Sequence, residues 1–203
     1  MTDSLWEGSA GQLLARTASA DPTPGGGAIA AVVGAFGVSL VQMAVRVTLR
    51  AADETAATQL QQVDVRAGEL QKLFMQAADE DVNAFDTLMD AYRMPRDSDA
   101  ERAARAAAIS TATLSATRVP LVLARAAADG IALGDAARPL VKDSIASDVL
   151  AGRDLLRGAG LAALRTAEIN LPALEASGQP DAAELRAEQG SLLMILGDDG
   201  GAS

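Results

Sequence analysis

The sequence predicts an all-α fold, a multi-helix bundle around a central buried helix of small residues. Apolar residues recur at three- and four-residue spacing over long segments, and no apolar–polar alternation longer than four residues marks a strand. Alanine and leucine are abundant while aromatic residues make up 2% of the chain, which favours closely packed helices. At 203 residues we expect one domain, 1–203, with a sizeable core and a frayed tail at 197–203.

The periodicity predicts six helices. The expected segments are about 4–19, 28–49, 53–92, 98–129, 144–170 and 181–196. Pro95 stops the third because proline cannot continue a helix, and Ser98 begins the fourth as an N-cap. Pro120 is expected to kink that fourth helix, and Gly130 and Gly134 to end it.

The segment Pro-Thr-Pro-Gly-Gly-Gly at 22–27 stands directly before the second helix. Its prolines stiffen the approach, and its glycines let a ligand come close to the backbone without meeting a Cβ. The first amides of the following helix have no partner within the helix, so the three features together make a cradle for an anion or a carbonyl. An ordinary tight turn is the alternative interpretation.

The run 28–45 carries no charge and is long enough to be considered as a membrane span. Ser39 and Gln42 interrupt the run, Arg46 follows it directly, and no cluster of basic residues flanks it. Gly34 and Gly37 would let another helix approach closely. We therefore expect a buried core helix, near a subunit interface, in a cytoplasmic protein, and neither a membrane span nor a signal peptide.

Composition excludes much chemistry. The chain has no cysteine and no histidine, which excludes a Ser/His/Asp triad, a cysteine nucleophile and thiolate or imidazole metal ligands. Proton transfer would fall to Asp, Glu, Tyr or the two lysines, Lys72 and Lys142. The acidic cluster at 79–81 has no second acidic motif, so no metal is expected. A net charge of −10 argues against nucleic acid or an anionic membrane as partner.

Two carboxylates interrupt apolar helix faces. The first face is Phe74, Ala78, Asp81, Phe85, Leu88 and Tyr92, and the second is Ile145, Asp148, Gly152, Leu155 and Ala159. An inward carboxylate is costly unless paired, and its pKa tends to rise, as in the acids and bases of active sites. Either acid could instead cap a neighbouring helix or pair with one of fifteen arginines.

Six segments, in order along nearly the whole chain, resemble the cyclodeaminase/cyclohydrolase family of folate enzymes. They are PTPGGG at 22–27, EDVNAFDTLMDAYRMP at 80–95, ERAARAAAI at 101–109, VPL at 119–121, SDVLAG at 147–152 and EINLPAL at 168–174. The family includes formiminotetrahydrofolate cyclodeaminases and methenyltetrahydrofolate cyclohydrolases. The resemblance implies an all-helical homodimer with its pocket near the glycine-rich loop, a tetrahydrofolate derivative as substrate, and no required cofactor.

Both reactions pass through a tetrahedral carbon between two nitrogens. A cyclodeaminase closes N10 onto the formimino carbon and expels ammonia, whereas a cyclohydrolase adds water to the methenyl carbon and opens the ring. Each needs protons moved onto or off nitrogen, which a pair of carboxyl groups can do. The resemblance implies that Asp81 and Asp148 are this catalytic pair, acting within one chain or across a dimer.

The resemblance also implies a set of substrate-binding residues. They are Thr23, Pro24, Gly25, Gly26, Gly27, Ser147 and Asn170. The glycine backbone would hold a pterin or carboxylate group, Ser147 would orient Asp148 or bind substrate, and Asn170 would contact the pterin.

The chain also departs from the family. Leu-Arg-Ala-Ala-Asp-Glu at 49–54 replaces a basic segment that suits an anionic glutamate tail, and Lys142-Asp143 stands where a Gly-Asn pair is frequent. One alternative is therefore C–N cyclisation, deamination or hydrolysis of a non-folate molecule in a specialised pathway. Another is a non-catalytic helical dimer used for binding or assembly, with both acids salt-bridged.

Overall fold

The computed structural model describes residues 4–197. Its helices are α1 Ala10–Thr17, α2 Gly26–Leu49, α3 Glu54–Arg93, α4 Asp99–Ala137, α5 Ala146–Ala176 and α6 Ala182–Gly197, with a 3₁₀ turn at Asp143–Ile145. No strand occurs among the described residues, which confirms the all-α prediction. All but the first residue of the predicted frayed tail lies outside the described part of the chain.

Helices α2 to α5 form an antiparallel four-helix bundle. Helix α2 packs between α3 and α5, and α4 closes the bundle on the opposite side. Helix α6 lies against α4 and α5, whereas α1 stands apart from the other helices. The core is made largely of alanine, leucine and valine, with Phe74 as its largest fully buried side chain.

The end of helix α4 differs from the sequence prediction. Helix α4 continues through Gly130 and Gly134 to Ala137, because both glycines face α5. A Cβ at Gly130 would lie 2.9 Å from Leu156 Cδ1, and one at Gly134 would lie 2.7 Å from Arg153 Cγ. These glycines therefore admit the neighbouring helix and do not end their own.

Helices α1 and α5 also differ from their predicted lengths. Helix α1 begins only at Ala10, after a capping box formed by Ser9 and Gln12. Helix α5 runs through Pro172 to Ala176, six residues beyond the predicted end at 170. The predicted capping at Ser98 is confirmed, since its side chain accepts from Glu101 N and Glu101 returns the bond.

The small residues of α2 admit close neighbours, as predicted. A Cβ at Gly34 would lie 2.7 Å from Phe74 Cδ1 of α3, and one at Gly37 would lie 2.9 Å from the Gly152 carbonyl oxygen of α5. One side of α2 is nevertheless uncovered, because Phe36 is 60% exposed. By length and composition α2 and α4 could each cross a membrane, but 67% of the apolar window of α2 is buried inside the protein.

A polar ladder joins α2 to α3. Gln71 Nε2 donates to Ser39 Oγ at 2.7 Å, and Gln42 Nε2 donates to the Asp64 carbonyl oxygen at 3.1 Å. Arg46 Nε pairs with Asp64 Oδ1 at 2.6 Å. Because each rung joins a specific residue of one helix to one of the other, the ladder fixes the register of α2 on α3.

Candidate active site

The glycine-rich loop forms the N-terminal end of α2. Gly25 is the N-cap, with extended backbone (φ −92°, ψ −167°) and no side-chain capping bond, and its carbonyl accepts from Ile29 N at 3.1 Å. Pro24 is buried behind a cis Thr23–Pro24 peptide, whereas Gly26 is exposed. The helix therefore begins without a capping side chain on its N-cap residue, which leaves its first amides to be satisfied from outside the helix.

Asp81 of α3 packs directly onto this helix end. A Cβ at Gly27 would clash with both carboxylate oxygens and lie 2.6 Å from Asp81 Cγ. The half-buried carboxyl accepts a hydrogen bond from the backbone of Ala28. Burial raises the pKa of Asp81 above the ordinary aspartate value, and the Ala28 bond offsets part of that rise. Asp81 thus keeps its proton to a higher pH than an exposed aspartate.

Helix α5 contributes Thr166 and Asn170 to the same end of the bundle. A Cβ at Gly26 would lie 3.9 Å from Thr166 Oγ1, which is an ordinary contact distance. Thr166 escaped the sequence analysis because one hydroxyl on an amphipathic helix carries no signal of its own. Asn170, one turn further on, donates from Nδ2 to the Ala116 carbonyl oxygen of α4 at 3.0 Å. Its amide nitrogen therefore ties two helices together.

Asp79, two residues before Asp81, has a contact that the sequence did not indicate. Its carboxylate accepts from Ser4 Oγ at 2.7 Å and from Leu5 N at 2.9 Å, so it anchors the N-terminal segment. Within residues 4–197 no group of three potential ligands could hold a metal ion.

Asp148 and Ser147 lie at the opposite end of the bundle. Gly152, one turn after Asp148, contacts the Gly37 carbonyl oxygen and Val41, while Thr166 lies beside Gly26. The 18 residues between Asp148 and Thr166 span roughly 27 Å of helix. Within one chain the structure therefore does not bring Asp148 to Asp81, although it sets Asp81 against the glycine-rich loop 23–27 and places Asn170, bonded to Ala116, at the same end of the bundle.

The environment of Asp148 is partly as predicted. Asp148 itself is half-buried in the first turn of α5, and Ser147 is exposed beside it. The prediction that Leu155 faces inward is wrong, because Leu155 is exposed and Leu156 is fully buried against Gly37 and Gly130. The inward face of α5 is thus rotated by one residue at this point.

A cavity of about 230 Å³ lies elsewhere, between α4 and α6. Its charged lining includes the ion pairs Arg118–Asp181 and Arg125–Glu188. Because these groups already pair with one another, the cavity offers few free charges to a ligand. We therefore place the candidate site at Gly25–Gly27 and Asp81.

Comparison with known proteins gives a consistent result. The sequence model of formiminotransferase-cyclodeaminase matches residues 9–189. A methenyltetrahydrofolate cyclohydrolase of Methylorubrum extorquens is 37% identical over 155 residues, which cover 76% of this chain and 73% of that protein. The crystal structure of a formiminotetrahydrofolate cyclodeaminase from Thermotoga maritima superposes with a TM-score of 0.74 at 23% identity, covering 95% of both chains. At that identity the structural match shows a shared fold.

Proposed function

The chain belongs to the formiminotransferase-cyclodeaminase family, and from this membership we propose that it is an enzyme acting on a C–N bond of a tetrahydrofolate one-carbon derivative. We place the cyclohydrolase reaction first, because the Methylorubrum relative at 37% identity carries that name. Cyclodeamination of a formimino group is the second activity to test, since the protein of matching fold carries that name.

The packing of Asp81 on the triglycine end of α2 carries the proposal. In the cyclohydrolase reaction water attacks the methenyl carbon and loses a proton. The carbon–N5 bond then breaks as N5 gains a proton and the carbon-bound hydroxyl loses its proton to solvent, leaving the formyl group on N10 with a net release of one proton. A carboxyl group of raised pKa can accept the first proton and deliver the second. The amides of Gly26 and Gly27, which precede the Ala28 amide bonded to Asp81, would bind a carbonyl or carboxylate of the substrate.

The Asp81→Asn variant tests this role. We expect turnover of 5,10-methenyltetrahydrofolate to fall by about 10²- to 10⁴-fold, the usual range for loss of a general acid–base group. Asp86→Asn, a half-buried acid of the same helix, is the matched control and should keep turnover near that of the wild type. Full turnover by a folded Asp81→Asn variant would show that the carboxyl group is not the proton carrier.

We also propose a homodimer that joins Asp81 of one copy to Asp148 of the other. The uncovered side of α2 carries an apolar stripe at heptad-like spacing: Ile29, Val33, Phe36, Leu40, Met43 and Val47. Such a stripe is typical of a seam between two helices. The midpoint of this stripe lies near residue 38. If two α2 helices pair antiparallel about that midpoint, the Gly27 end of one copy lies beside the Leu49 end of its partner.

This pairing would resolve the separation of the two predicted catalytic acids. Asp148 lies toward the C-terminal end of α2, since Gly152 one turn later contacts Val41. The partner's α2 would bring that end to the glycine-rich loop. The oppositely directed helix dipoles of the two α2 helices also attract one another in this arrangement.

Two measurements test the dimer. Phe36→Glu places a charge in the stripe, and light scattering should then report a monomer with strongly reduced turnover. Mixed dimers of Asp81→Asn and Asp148→Asn should regain about a quarter of the wild-type activity, because half the dimers are mixed and each has one intact site. No regain in mixtures shown to contain mixed dimers would place Asp148 outside the site.

A non-folate substrate is the second candidate, and the segment 49–54 favours it. That segment holds one arginine and two acids, and the proposed dimer would set it near the partner's glycine-rich loop. Reduced folates with one and with several glutamates should be compared by thermal shift, since a ligand of the native state raises the unfolding temperature. Stabilisation by either supports folate, whereas a flat response to both favours the non-folate alternative.

A further inference from the structure

We propose that residues 7–22, with α1 at their centre, form a lid that closes over Asp81 when a folate binds. This inference rests on the proposed function for the identity of the ligand. The segment is attached to the bundle at two places near Asp81, while the part between the attachments is almost wholly exposed.

The first attachment lies on α3. The Asp79 carboxylate accepts hydrogen bonds from Ser4 Oγ and Leu5 N. Trp6 Nε1 donates to the Met75 carbonyl oxygen at 2.9 Å. Leu5 is buried in the main core cluster. Because Asp79 precedes Asp81 by two residues on one helix, this hinge stays at a fixed position relative to the acid.

The second attachment is the glycine-rich loop itself. Pro24 is buried, and Gly25 opens α2 as its N-cap. Gly27, two residues later, contacts Asp81. The two hinges therefore lie at the same end of the bundle as Asp81, and residues 7–22 between them are long enough to fold across the glycine-rich loop and the carboxyl group.

The segment between the hinges is a preformed helix held by few contacts. Helix α1 contains no buried residue, and Leu13 is its one partly buried side chain packed on the core. Its N-terminus is completed internally by the Ser9–Gln12 capping box. A unit with its own hydrogen bonds and little buried area can move as a body at low cost, as active-site lids do.

Closure of the lid would bury part of the substrate and exclude bulk water from Asp81. Leu14 is 72% exposed, and on closure its side chain would be buried against the flat pterin ring. Exclusion of bulk water would also strengthen the interactions of Asp81 with the substrate.

Trypsin can report the position of α1. Arg16, in the last turn of α1, is the one lysine or arginine among residues 1–45, so a new N-terminus at Thr17 marks cleavage after it. Full-length protein would be digested with and without 10-formyltetrahydrofolate, and binding would be verified by thermal shift. We expect the ligand to slow cleavage after Arg16 by about fivefold or more. Cleavage after Arg93, an exposed residue ending α3, should change little and corrects for global stabilisation.

A matched pair of leucine variants tests contact with the ligand. Leu14→Ser should raise KM about tenfold and abolish the protection of Arg16, because the buried apolar area is lost. Leu193→Ser removes a leucine that is 43% exposed on α6 and should leave both unchanged.

The outcomes of these experiments distinguish failure of the lid proposal from failure of the proposed folate function. Thermal stabilisation without protection of Arg16, or wild-type KM and protection in Leu14→Ser, would overturn the lid and leave the folate proposal standing. No stabilisation by the folate would overturn both.

Discussion

Two glycine contacts along α2 look alike in sequence and serve different purposes. At Gly27 the missing side chain makes room for the carboxylate of Asp81. At Gly37 it makes room for the backbone of α5, where Gly152 meets the Gly37 carbonyl oxygen. The first contact positions a titratable group and the second sets the spacing of two helices. Substitution should therefore affect mainly activity at one position and mainly stability at the other.

The largest effect is expected for Gly27→Ala. The added methyl group would overlap the Asp81 carboxylate, so the acid must move and turnover should fall by about 100-fold or more. Gly190→Ala on α6 is the control, because its Cβ would meet nothing within 4 Å and the residue lies outside the candidate site. Steady-state kinetics and circular dichroism of both variants check this. Equal turnover in the two variants would contradict a role for the Gly27–Asp81 contact.

Gly152→Ala should act on stability. Its Cβ would lie 2.6 Å from the Gly37 carbonyl oxygen, and backbone cannot yield as a flexible side chain does. We expect the free energy of unfolding to fall by about 1–3 kcal/mol in urea titrations. Gly158→Ala on the same helix meets nothing within 4 Å and should raise it by about 0.5–1 kcal/mol. A neutral Gly152→Ala would mean that α2 and α5 can separate freely.

Asn170 offers a smaller test of the same division between activity and stability. Because its amide nitrogen bonds to the Ala116 carbonyl oxygen, Asn170→Ala should cost about 0.5–1.5 kcal/mol of stability. If helix pairing is its role, KM for the folate stays at the wild-type value. A raised KM with unchanged stability would instead support the predicted pterin contact.

The smallest effect concerns the pH dependence of stability. Burial raises the pKa of Asp81 above the ordinary aspartate value of 3.8, so the native protein holds this proton to a higher pH than the unfolded chain. The free energy of unfolding should therefore fall as pH rises from about 3.8 through the raised pKa. Asp81→Asn should remove this part of the decline, as unfolding curves across that range would show. An identical pH profile in the variant would mean that the proton is not held more tightly in the native state.

Much of the fold follows from local sequence. Helical periodicity predicts the beginning of α3 at 53, one residue before Glu54, and the cap at Ser98 predicts the beginning of α4 at Asp99. The end of α4 does not follow, because Gly130 gives the same local signal whether it ends a helix or admits a neighbour. That choice is made by Leu156 of α5, which is distant in sequence.

For the two acids, the sequence predicts which helix face each side chain lies on, but not how far along the bundle each acid lies. Periodicity identifies Asp81 as inward and the glycine-rich loop as a helix N-terminus, and the structure brings the two together. The same reasoning marks Asp148 as inward without revealing that it lies at the far end. Spacing along one helix reports direction around its axis, whereas the level at which two helices meet depends on loops and packing.

The polar ladder between α2 and α3 also helps to set the position of the Asp81 carboxyl group. Sliding α2 along α3 by one turn, about 5.4 Å, would break the bonds at Ser39, Gln42 and Arg46 together. Apolar faces alone tolerate such slippage, since one alanine or valine replaces another at each level. Three side chains 12 or more residues from Gly27 thus help to keep the carboxyl group aligned with the first amides of α2. Defects there should misalign the reacting groups while leaving the helices folded.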